Sequence, residues 1–157
     1  GVDMGMYYRR LDYSKMVKGR HPIAAYEFLG PKLEGKDVIL IDDMISSGKS
    51  ILEIASLLKK RGAGKIFICT TFGLFTEGME KFDEAYQNGI FDKLLTTNLV
   101  YQTPELLSKP YYITCDMSKY IALIIDTLNH DMSVSHLLNP ADRIKRCVSN
   151  YMAQYEK

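Results

Sequence analysis

Two adjacent carboxylates, followed by small hydroxyl residues and a glycine, form the stretch of this chain with the most obvious chemistry: V-I-L-I-D-D-M-I-S-S-G-K-S at residues 38–50. Asp42 and Asp43 supply hard oxygen acceptors. Ser46, Ser47, Gly48 and Ser50 supply hydroxyls and closely approachable backbone N–H groups, and Lys49 adds a point charge. Small residues that open an amphipathic run (51–60) describe a phosphate cradle at a helix N-terminus, where N–H groups and the helix dipole both favour an anion. Asp42 and Asp43 would repel that phosphate, so they face something else: the vicinal hydroxyls of a ribose, or a Mg2+ ion held mostly through water. A sugar phosphate satisfies both halves.

Two other readings compete. G-K-S at residues 48–50 matches the end of a P-loop, but the first glycine of that motif would fall at Asp43, where an acid opposes a triphosphate cradle. Alternatively, the two acids merely cap a helix after a core strand. A pair of acids followed by S-S-G-x-S is more than a cap needs.

The elements around this stretch alternate. Residues 4–8 read as a strand, 9–22 as a basic irregular loop, 23–29 as a strand and 31–36 as a turn. Residues 37–41 read as a buried strand that ends at the acids, and 50–61 as a helix stopped by Gly62 and Gly64. Further strands are expected over 65–70, 93–96 and 111–115, with helices over 78–88 and 119–129, the last with Ser118 as its N-cap. The periodicity after Pro140 places Ile144, Val148, Tyr151 and Met152 on one helix face. That face would pack as a C-terminal cover, meet a partner subunit or fray, the cover being the plainest reading. Strands alternating with helices imply an α/β fold with a mostly parallel sheet and right-handed crossovers. Ligands of such folds bind at the C-terminal tips of the strands, where the acids and the serine loop fall. Thr70, Thr71 and Gly73, and Thr96, Thr97 and Asn98, end two other strands at that edge.

Composition sets limits. With 157 residues the chain is long enough for one domain with a real core. A net charge of +1 gives no electrostatic footprint for nucleic acid. The longest apolar run, 121–125, is far too short to span a bilayer, and no signal peptide is evident. A cytoplasmic protein with neither nucleic-acid nor membrane partners is expected. Cys69, Cys115 and Cys147 lack C-x-x-C spacing, and the first two read as core thiols. His21, His130 and His136 have no partner at metal-ligand or triad spacing.

Residues 38–50 also resemble the phosphoribosyl-pyrophosphate motif of type I phosphoribosyltransferase folds: four apolar residues, two acids, then a small-residue phosphate loop. I-A-A-Y-E-F-L-G (23–30), T-T-F-G-L-F-T-E-G (70–78), K-F-D-E-A-Y (81–86) and L-T-T-N-L (95–99) resemble segments of ribose-phosphate pyrophosphokinases (phosphoribosyl-pyrophosphate synthetases). The resemblance covers about residues 2–144. It implies a type I phosphoribosyltransferase-like α/β domain spanning 1–157, a truncated C-terminal half of a two-domain synthetase that is a homo-oligomer when complete.

The activity it implies is transfer of the diphosphoryl group of ATP to O1 of ribose 5-phosphate, with Mg2+, giving phosphoribosyl pyrophosphate and AMP. On this reading Ser46, Ser47, Gly48, Lys49 and Ser50 hold the 5-phosphate. Asp42 and Asp43 hold the ribose hydroxyls and the metal, and the threonine-rich strand ends border the nucleotide and ribose. The family's basic pair, a Lys and an Arg two residues apart, falls here on Arg9 and Leu11. Arg9 and Arg10 are thus the candidate catalytic cations, with Leu11 standing where the resemblance implies a donor. Lys15, Lys18, Arg20 and His21 read as a solvated stretch of the same loop. Two alternatives follow: a non-catalytic sugar-phosphate-binding or assembly subunit, and a phosphoribosyltransferase that consumes the activated sugar.

Overall fold

The computed structural model describes residues 2–11, 14, 16 and 23–155, so Lys15, Lys18, Arg20 and His21 lie outside the described residues. The chain divides into two compact units, Gly1–Cys115 and Asp116–Lys157.

The first unit opens with an antiparallel pair, β1 (Met6–Leu11) and β2 (Ile23–Leu29). The strand expected over 4–8 starts later and runs further, because its ladder with β2 continues through Arg9↔Tyr26 and Arg10↔Ala25 before the register shifts between Arg10 and Leu11. The two arginines therefore sit on strand backbone and not at the start of an irregular loop. Four parallel strands follow: β3 (Val38–Ile45), β4 (Ile66–Gly73), β5 (Lys93–Thr97) and β6 (Tyr112–Cys115), in the spatial order β3-β4-β5-β6. The connections carry α1 (Lys49–Lys60), α2 (Glu80–Gln87) and the short α3 (Pro104–Leu107).

Each strand adds to the same side of its predecessor. Crossovers of one hand then lay their helices on one face of the sheet. The core lies there, with Ile66, Ile68 and Leu94 of the sheet packed among Ile51, Ala55 and Leu58 of α1, Phe82 of α2 and Leu106 of α3. Edge-to-face rings extend it, Phe75 on Phe82 and Phe91 on Tyr111. On β3, Ile39 is 65% and Ile41 77% exposed. The buried strand expected there is instead an edge strand with its alternate residues open. An apolar run does not reveal strand order, and strand order decides burial. The same geometry corrects the cysteines. Cys115 is exposed and Cys69 only half-buried, so they are not a pair of core thiols. Burial, then the neighbouring Cys115, raises the Cys69 thiol above its ordinary value.

The second unit contains α4 (Ser118–Asn129), α5 (Ser135–Leu138) and α6 (Ala141–Tyr155). The expected cap Ser118 is the first helical residue, and its N–H is accepted by Asp116 Oδ1 at 2.9 Å. The two differ by one register position, and an Asp two residues earlier does the same job. Tyr120 Oη and Arg143 Nη2 both donate to the Leu137 carbonyl, at 2.8 and 2.5 Å. Helix α6 forms as the periodicity predicts, and Ile144, Val148, Tyr151 and Met152 along it are exposed. His130 and His136 bond to backbone carbonyls of Asp126 and Ser133. Among the described residues no helix is long and apolar enough to cross a membrane.

Candidate functional site

Strand β3 does not stop before the acids. Its ladder with β4 runs on through Asp42↔Thr70, Met44↔Phe72 and Ile45↔Gly73. Pairing with a neighbour overrides the low strand propensity of Asp. Asp42 and Asp43 thus project from strand backbone, both exposed, and the carboxylate of Asp42 accepts the Asp43 N–H at 3.0 Å. Among the described residues neither forms an ion pair. An Asp held in a strand also disposes of the P-loop reading, which needs a turn glycine at that position.

The loop after β3 is fastened by the segment that follows β4. Leu74 N–H donates to the Ile45 carbonyl at 2.8 Å and Thr76 N–H to the Ser46 carbonyl at 3.0 Å, and the Ser46 and Thr76 hydroxyls lie 3.4 Å apart. Gly48 closes the loop in the left-handed region, φ 79°, and its carbonyl accepts the first helical bond from Leu52 N–H at 3.0 Å. A side chain here would be strained twice. The conformation disfavours a Cβ, and one built on Gly48 would meet the Phe82 ring at 2.3 Å. Phe82 and Thr76 escaped the sequence reading because they act on the loop from far along the chain. The motifs that contain them, 70–78 and 81–86, were the only signal.

Helix α1 begins without a side-chain cap and without an acid in its first turn, while Lys59 and Lys60 sit in its last turn. Its leading N–H groups have no intrahelical partner. A positive helix end facing Ser46, Ser47, Lys49 and Ser50 is suited to an anion. The reading of Asp42 and Asp43 as its cap fails, since no side chain caps α1.

The expected residues come together. Asp42, Asp43, Ser46, Ser47, Gly48, Lys49 and Ser50 all line one cavity of about 940 Å3, which also borders Tyr7 and Phe28 of the β1–β2 pair and Ile54 and Leu58 of α1. Burial raises the Tyr7 hydroxyl above its ordinary value, against an opposing pull from the Arg61 guanidinium, which also lies 5.1 Å from the centre of the Phe28 ring. Arg9 and Arg10 continue β1 beyond Tyr7, and their side chains lie outside the described residues.

The threonine segments serve mainly as internal ties. Thr97 Oγ1 donates to the Thr71 carbonyl at 2.6 Å, and Thr96 Oγ1 bonds Tyr112 Oη at 2.5 Å. Gln102, which sequence reasoning missed, donates to the Thr97 carbonyl and to Tyr112 Oη, and accepts from Thr114.

With this geometry in view, the comparisons with known proteins decide the family. The model of the phosphoribosyl synthetase-associated domain matches residues 14–139. The chain belongs to this family. It is similar to the ribose-phosphate pyrophosphokinase of Vibrio parahaemolyticus, 26% identical over 107 residues that cover 68% of this chain and 33% of that protein. It is also similar to the ribose-phosphate pyrophosphokinase of Thermococcus kodakarensis, 36% identical over 93 residues covering 57% and 31%. The chain thus spans about a third of the length of the curated relatives it matches. The crystal structure of phosphoribosylpyrophosphate synthetase from Mycobacterium smegmatis superposes with a TM-score of 0.60 at 21% identity, over 70% of this chain and 35% of that one. That likeness bears on fold: a parallel sheet flanked by helices, of the phosphoribosyltransferase type expected from the phosphoribosyl synthetase-like motifs.

Proposed function

We propose that this chain carries the ribose 5-phosphate site of a ribose-phosphate diphosphokinase. The observation that carries the reading is the uncapped, acid-free N-terminus of α1 behind left-handed Gly48, beside two strand-borne carboxylates with no ion-pair partner among the described residues. The 5-phosphate seats on the N–H groups and hydroxyls of residues 46–50. Asp42 and Asp43 accept hydrogen bonds from the vicinal ribose hydroxyls and so fix the direction of O1.

Among the described residues no group of three or more His, Cys, Asp or Glu could hold a metal. Two carboxylates suit Mg2+, which takes one or two of them together with substrate phosphates and water. Asp42 and Asp43 would hold it, and when bound it neutralises phosphate charge. In the reaction O1 attacks the β-phosphorus of ATP. The O1–Pβ bond forms, the bond from Pβ to the bridging oxygen of AMP breaks, and the O1 proton passes to solvent. The chain's own share is positioning and charge placement, with Arg9 and Arg10 as the cations offered to the transferred group.

One observation favours a second reading, sugar-phosphate binding without catalysis. Leu11 removes a donor from β1, and the strand's register breaks between Arg10 and Leu11.

Calorimetric titration with ribose 5-phosphate in Mg2+ tests the site, beside a Ser47→Ala/Asp43→Asn double variant. The variant is expected to bind roughly 10- to 100-fold more weakly, as for lost hydrogen bonds to charged groups. Equal binding by the variant would place the ligand elsewhere. Formation of AMP from ATP and ribose 5-phosphate separates the first reading from the second.

A further inference from the structure

One hydroxyl beside this site has no partner. Thr70 is only 7% exposed, yet its Oγ1 is buried without a hydrogen bond among the described residues. A buried, unpaired hydroxyl is costly and uncommon. Its neighbours across the sheet show why it stands out. The ladders align Asp42, Thr70, Thr96 and Thr114 in one row over the four strands. Thr96 is committed to Tyr112 Oη and Thr114 to Gln102.

Residues aligned in neighbouring parallel strands present their side chains to the same face, one strand spacing apart. Thr70 shares that face with Ile66 and Ile68, the face on which α1 packs. It lies toward the strand tips, where α1 begins. The remaining acceptor in the row is the carboxylate of Asp42, whose Oδ1 takes the Asp43 N–H and which bonds nothing else among the described residues.

We propose that Thr70 is a positioning residue for Asp42: in the sugar-phosphate complex Thr70 Oγ1 donates to the Asp42 carboxylate and holds it toward the ligand's hydroxyls. The inference rests on the reading of Asp42 as a ribose-binding residue.

The test is a double-mutant cycle read by calorimetry, with ribose 5-phosphate in Mg2+, using Thr70→Val, Asp42→Asn and the pair. Thr70→Val keeps the shape and removes the hydroxyl. It is expected to weaken ribose 5-phosphate binding roughly tenfold, about 1.4 kcal/mol, to leave inorganic phosphate binding unchanged, and to melt no lower than wild type. In the Asp42→Asn background the same substitution should add little. Thr70→Ser should restore binding, and it serves as the folded control if Thr70→Val is unstable. Wild-type affinity in Thr70→Val, or a loss that persists in full beside Asp42→Asn, overturns the proposal. If the wild-type chain binds phosphate but not ribose 5-phosphate, the functional reading itself fails and takes this inference with it.

Discussion

Two polar clusters in the first unit solve opposite problems. Around α2 and α3, Lys109 Nζ lies 2.7 Å from Asp83 Oδ2 and 3.2 Å from Glu105 Oε1, and Tyr111 Oη donates to Asp83 Oδ1 at 2.7 Å. Each charge has its counter-charge, and the buried Tyr111 has its acceptor. At the tip of β3 the reverse holds. The acids have no cation, α1 has no cap and Thr70 Oγ1 has no partner among the described residues. A fold can afford unpaired groups where water or a ligand satisfies them, so saturation marks structure and its lack marks a site.

The sharpest way to break this contrast is Gly48→Ala. The substitution forces a Cβ into left-handed backbone and against the Phe82 ring. It should cost roughly 1–3 kcal/mol, as other residues held in disfavoured backbone regions do, or about 2–4 °C per kcal/mol in melting temperature for a chain of this size. Ribose 5-phosphate binding should be lost with it. Normal stability and affinity in this variant would mean that the loop is not the preformed cradle argued for here.

The saturated cluster should respond differently. Burial alone would raise the Asp83 carboxyl, but hydrogen bonds from Lys109 and Tyr111, with the Lys109 charge, outweigh it and hold Asp83 below the ordinary carboxylate range. This contribution is present above about pH 4, the unfolded value, and is lost as pH falls through the lower folded value. Lys109 is raised, first by its bond to Asp83, and Tyr111 is raised by burial and then by the same carboxylate. Their contribution is present below about pH 10 and is lost as pH climbs through the raised folded values. Asp83→Asn should therefore lower stability at neutral pH by about 1–2 kcal/mol and flatten both limbs of a melting-temperature profile. Ribose 5-phosphate affinity should not move. If affinity moved with stability, the two clusters would not be separable.

How much of this was legible in the sequence follows from the range of the forces involved. Helix α1, strand β2 and the serine loop were readable because periodicity and small residues act within one element. The end of β3 was not, because the β4 ladder carries Asp42 and Asp43 into the strand. Nor was the exposure of Ile39 and Ile41, which depends on β3 being an edge. Phe82 under Gly48 and Thr76 on Ser46 join segments distant in the chain, and no local pattern encodes them. Helix α3 is a different case. Thr103 Oγ1 accepts from Leu106 N–H at 3.1 Å with Pro104 in the first helical turn, a start signal that was present in the sequence.

The smallest effect belongs to a pair on the same cavity as the acids. Lys36 Nζ lies 2.6 Å from Asp3 Oδ2, with side-chain exposures of 51% and 62%, and both residues line the cavity. Lys36 holds the Asp3 carboxyl below its ordinary value. A pair this open to water is screened by salt and contributes little. Asp3→Asn should leave the melting temperature unchanged within error at physiological ionic strength. It should also leave ribose 5-phosphate affinity unchanged, because phosphate and hydroxyls are read at the α1 end, by residues 46–50 and by Asp42 and Asp43. A gain in affinity on removing Asp3, strongest at low salt, would show that the anion feels charge from the far end of the cavity. The site would then be wider than the loop that defines it.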